Sequence, residues 1–98
     1  MTSLFVGSLK EAQAGLGEAE WQHALRPGDR RLAYKVLDAR FDVAWARRDL
    51  ARRVIAALAT ARATRAECEM AESELARATR AVGAALWALN KSFAERVG

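Results

Sequence analysis

From Asp29 to Val82 the chain contains neither glycine nor proline. Those two residues are the strongest local interruptions of regular structure, and a run this long without either commits most of the protein to helix. Ala supplies 23 of the 98 residues and has the highest intrinsic helix propensity. The expected fold class is all-α. The same composition limits the core. Alanine methyls make up nearly half of the 52% hydrophobic fraction, and buried apolar area stabilises by only about 25 cal/mol per Å². A chain this short forms one domain at most. With few large side chains it is expected to have a thin core and to gain further burial by self-association or on a larger partner.

The chain divides into three helical pieces. In the first, about residues 3–25, Leu4, Phe5, Leu9, Ala12 and Leu16 recur at helical spacing, with Ser3 as a candidate cap. Gly15 and Gly17 predict a break near 15–17, before a short turn of helix from Trp21 to Leu25. Arg26-Pro27-Gly28-Asp29 reads as a turn. Pro27 cannot continue a helix, Gly28 readily takes positive φ, and Asp29 suits the N-cap of the next helix. The second helix, about 30–62, carries Leu32, Val36, Leu37, Phe41, Val43, Ala44, Leu50, Val54, Ile55 and Leu58 around more than half of its circumference. So wide a face usually meets two neighbours.

The third helix, about 65–96, is more regular. Cys68, Ala71, Leu75, Ala78, Val82, Ala85 and Leu89 alternate by three and four, a heptad stripe with small residues at every second core position. Leu86, Phe93 and Val97 widen it toward the end. Such a stripe allows two helices to approach closely, and it is the predicted self-interface.

Two architectures fit these pieces. Thr64-Arg65-Ala66-Glu67 has the form of a capping box, which makes the second and third helices an antiparallel hairpin beside the short first helix. The rival is one continuous long helix in a coiled-coil dimer. The heptad register runs back through Thr64, Ala61, Ala57, Val54, Leu50, Val43 and Val36 and fails only at Arg47 and Arg40. A helix of that length is improbable in a chain this short. A hairpin also lays Arg52 and Arg53 toward Glu72 and Glu74, so the hairpin is the expected form.

The formal net charge of +4 is unevenly spread. Residues 1–25 hold one basic and three acidic groups (−2), residues 26–65 eleven and four (+7), and residues 66–98 four and five (−1). The basic middle suits an acidic partner or nucleic acid. Cys68 is the sole cysteine, so an intramolecular disulfide is excluded and a reducing compartment is expected. The longest apolar runs, Val54–Ala61 and Ala81–Leu89, fall well short of the roughly 20 residues a membrane span requires. No charged n-region followed by an apolar core opens the chain. A soluble cytoplasmic protein is expected, unless a signal-less system exports it.

Candidate partner-binding residues are the arginines and tryptophans. Arg40 and Arg47 lie seven apart on a face otherwise made of Val36, Val43, Leu50 and Val54. One reading is a pair of guanidinium forks for an anionic partner. In the other, Arg47 reaches Glu74 across the hairpin and both stems cover apolar surface. Arg47, Arg48, Arg52 and Arg53 form the densest basic cluster, diluted by Asp38, Asp42 and Asp49. Asp49 and Arg53 have i,i+4 spacing for an ion pair. Trp45 lies at the edge of its apolar face, and Trp87 stands about a quarter turn from Leu86 and Phe93. Each is either a packing contact for the first helix or an anchor for another protein.

Catalytic signals are weak. His23 is the only histidine, Cys68 falls on a core position, no Glu-x-x-His pair exists, and the spacing of Glu67, Glu69, Glu72 and Glu74 scatters them around the helix. No metal, cofactor or catalytic residue is expected.

Three partial resemblances to known families can be traced. Leu4-Phe5-Val6-Gly7-Ser8-Leu9 resembles the first short motif of RNA-recognition-motif domains, but their second motif is absent. Chain length and a mid-chain tryptophan resemble WXG100 helical hairpins, but Trp45-Ala46-Arg47 replaces the Trp-x-Gly of their turn. Arg-rich long helices are similar in kind to the all-α chorismate mutases, with no motif matched. None assigns a family.

The expected function is a non-enzymatic helical interaction module: an adaptor, an assembly or secretion chaperone, or a small inhibitor. It would bind a larger protein or itself through the Ala-rich heptad face, as a homodimer in the second case. The alternative is a bacterial or phage-type regulatory protein whose Arg-rich second helix meets nucleic acid or a nucleoprotein machine.

Overall fold

The computed structural model describes residues 8–97. Three helices follow one another, α1 (Leu9–Leu25), α2 (Arg30–Thr60) and α3 (Arg65–Val97). No strand occurs among the described residues. The readings placed on Ser3, Leu4, Phe5 and the segment leading into Ser8 lie outside them.

Local chemistry explains each helix start. Ser8 caps α1: its Oγ accepts from the Glu11 N–H at 3.2 Å while Glu11 Oε1 accepts from the Ser8 N–H at 3.3 Å, a reciprocal capping box. Asp29 caps α2, its Oδ1 accepting from Arg31 N at 2.9 Å and Leu32 N at 3.3 Å. Thr64 caps α3 in a second capping box, with Glu67 N donating to Thr64 Oγ1 at 3.1 Å and Thr64 N donating to Glu67 Oε1 at 2.9 Å. Each cap satisfies helix-end donors that have no intrahelical acceptor.

The glycines behave differently from expectation. α1 runs unbroken through Gly15 and Gly17. Their conformational freedom costs about 1 kcal/mol each relative to alanine, which packing of Ala12, Leu16 and Ala19 offsets. Gly28 does not use a left-handed conformation either; no described residue has positive φ. Pro27 and the Asp29 cap, with Asp29 N donating to Arg26 O at 3.0 Å, are sufficient to make the turn.

α2 and α3 pack together as the hairpin, which excludes the continuous rod; among the described residues α1 packs along α2 and not along α3. The chain stops being helical at Thr60 and resumes at Arg65 without any Gly, Asn, Asp or Pro in the connection. Ala61 N donates to Leu58 O and Thr60 Oγ1 to Ala57 O, closing the end of α2. No ion pair crosses the hairpin among the described residues. The three that form are intrahelical: Asp49–Arg53 (2.9 Å), Arg65–Glu69 (3.1 Å) and Glu74–Arg77 (2.7 Å). The anticipated reach of Arg47 to Glu74 is therefore replaced by Arg77, one turn from Glu74 on the same helix.

The core is thin. Its buried members are Ala12, Ala19, Ala44, Ala46, Ala51, Ala71, Ala78, Val36, Val43, Val82 and Leu89. Ala12, Val43 and Ala46 join α1 to α2, with Leu9 and Leu16 packed at their edge. From there α1 covers only the half of the hairpin that includes the start of α2. Leu9, its first residue, lies beside Arg47, Leu50 and Ala51.

Candidate functional site

The heptad stripe of α3 is spent within the chain. Ala71, Ala78, Val82 and Leu89 are buried and Cys68, Leu75 and Ala85 half-buried, and among the described residues the helix that α3 packs along is α2. Alanine at every second position brings the helices close. Four of the seven stripe residues are thus buried against α2, while Ala71 and Ala78 also line an open groove between the two helices.

Trp21 (61% exposed), Leu25, Leu50, Val54, Met70, Leu86, Trp87 (65%) and Phe93 (59%) all face solvent substantially. They fall into separate regions. Beyond the end of α1, a groove of about 660 Å³ runs between α2 and α3. On one wall Leu50, Val54 and Leu58 stand one turn apart; on the other are Met70, Ala71, Ala78 and Ala81. Arg47 and the Arg77–Glu74 ion pair flank the end near Leu9, and Glu67 flanks the end at the hairpin tip. On α3, Leu86 and Phe93 point to the other flank, some 140° round the helix from Ala81 at about 100° per residue. Trp87 lies farther round still. Trp87 lies on α3, along which α1 does not pack.

The five candidate arginines do not make one patch. Arg48 folds back on Trp45, its guanidinium carbon 3.9 Å from the ring centroid. Arg48 Nε is buried there without a hydrogen-bond acceptor. Burial, and then Arg52 one turn on, lowers the Arg48 pKa, while Asp49 acts in the opposite sense. Stacking on the indole face is what makes that burial tolerable. Arg53 is held by Asp49, and Arg47 turns toward the groove. Arg40 and Arg52 are exposed and engage no acidic side chain among the described residues. Trp87 has its own cation, Lys91 Nζ at 5.2 Å.

Two carboxyls have shifted pKa values for plain reasons. Asp42 is half-buried on α2, and burial, together with Asp38 one turn before it, raises its pKa. Glu67 is held below the usual carboxylate range by the hydrogen bonds from the Thr64 backbone and side chain. Glu67 belongs to the cap of α3. His23, in the last turn of α1, and Cys68, in the first turns of α3, sit on helices that do not meet. Among the described residues no three His, Cys, Asp or Glu side chains gather as a metal site, and no helix is long and apolar enough to cross a membrane.

Sequence does not mark the groove residues Leu50, Val54, Leu58 and Met70 as a site. Leu50, Val54 and Leu58 are visible there only as part of a face too wide for one neighbour. Met70, Glu74, Arg77 and Ala81 form a second row beside the heptad stripe, a signal readable only once the hairpin fixes which flank α1 leaves open. Comparison of the chain with protein-family models, with curated proteins and with solved structures finds no match.

Proposed function

We propose that this protein is a non-enzymatic helical interaction module that binds a larger protein or a second copy of itself. One observation carries the reading: the fully buried residues are nearly all small, while several of the largest apolar side chains are exposed. The core is mostly alanine and valine, whereas two of the three tryptophans, a phenylalanine and a methionine are exposed. Aromatic and Met side chains are enriched at protein-binding surfaces. Three stable caps and a closed hairpin keep those surfaces preorganised, which lowers the entropic cost of binding. Adaptor, assembly chaperone and small inhibitor are the roles such a module fills.

The test is retention of a protein by the immobilised full chain at about 0.5 M salt, where phosphate-dominated binding falls by orders of magnitude. A Trp87→Ala/Phe93→Ala variant with parental helicity is the comparison. Loss of the retained protein by the variant supports the reading; equal retention by both overturns it for this surface.

A second reading is nucleic-acid binding through α2, favoured by the exposed Arg40 and Arg52, which have no acidic partner among the described residues. Asp38, Asp42 and Asp49 interrupt that stripe, and Arg53 and Arg48 are already engaged. Binding of duplex DNA or single-stranded RNA with a steep salt dependence, lost on Arg40→Glu/Arg52→Glu, would establish it.

A further inference from the structure

We draw no further inference here: the strongest candidate, the apolar groove between α2 and α3 beyond the end of α1, carries nothing, because its charged rim of Arg47, the Arg77–Glu74 pair and Glu67 selects no occupant and nothing in the structure shows what covers it.

Discussion

The two halves of the hairpin are built from the same seam but finished differently. In the half that contains the start of α2, α1 lays Ala12 (3% exposed) against Val43 and Ala46, and Val36, Val82 and Leu89 are buried beneath. In the half toward the tip the seam continues through Ala51 and Ala71, and Leu50, Val54 and Met70 are exposed; in the covered half the large side chains of the hairpin that remain exposed, Leu86, Trp87 and Phe93, are all on α3, along which α1 does not pack. A two-helix seam of small residues closes the contact line between the helices but leaves the shoulders bare. The third helix decides which shoulders are covered, and here it covers only half.

Substitutions should separate the halves. The largest effect is expected from Val82→Asp, which leaves a charge without a partner in the covered half. That should cost roughly 3–5 kcal/mol and abolish the cooperative melt followed by circular dichroism. Met70→Asp in the open half should shift the midpoint of a dilute sample by no more than about 0.5 kcal/mol equivalent. Ala12→Leu comes next. Overpacking at this buried contact should cost about 1–3 kcal/mol, and limited proteolysis should then cut within α1 while α2 and α3 persist.

Removing the tip cap by Thr64→Ala should cost about 1 kcal/mol, read as a lower denaturant midpoint with unchanged slope. Gly15→Ala and Gly17→Ala should each stabilise by about 0.5–1 kcal/mol, since a Cβ at either site meets nothing within 4 Å. Hydrogen exchange should show that gain chiefly in α1.

The smallest effect concerns Asp42, whose pKa is raised by burial and by Asp38. A raised folded-state pKa means that the carboxyl favours the fold in its protonated form, at low pH. That contribution disappears as pH rises through the folded-state value, and at neutral pH the ionised group destabilises. Asp42→Asn should therefore raise the melting temperature slightly at pH 7, by less than about 0.5 kcal/mol equivalent. The gain should fade below about pH 4. A gain that is equal across the range would mean that charge is not the cause.

The residues by themselves disclose what local physics determines. Asp29 as a cap, the Thr64–Glu67 capping box, the Asp49–Arg53 pair and the Pro27-Gly28 stop each depend on chemistry within a few positions. The hairpin itself rests on one of them. Misreadings arise where tertiary contact outweighs propensity. Gly15 and Gly17 suggest a break because glycine propensity is local, whereas the burial of Ala12 and Ala19 that holds the helix is set by α2.

The α3 stripe is legible as an interface but not as an interface already filled by α2. The candidate arginines are legible as charges but not as Arg48 on Trp45 and Arg47 on a groove wall. Those placements depend on where α1 ends. The lever there is Ser8, whose hydroxyl and partner Glu11 fix the first turn.

The alternation along α3 has one more consequence. Ala71, Ala78 and Ala85 recur every seven residues, as do Cys68, Leu75, Val82 and Leu89. Slid by one heptad against α2, such a seam meets nearly the same shapes, so its own side chains discriminate poorly among alignments. Alignment of the two arms is instead set by the connector from Ala61 to Thr64, too short to permit a slide and closed by hydrogen bonds on both sides. The molecule thus stores its register in a few residues at one end. An inserted glycine after Ala63 would be felt most at the opposite end, where Arg30 and Ala33 lie beside Ser92 and Glu95.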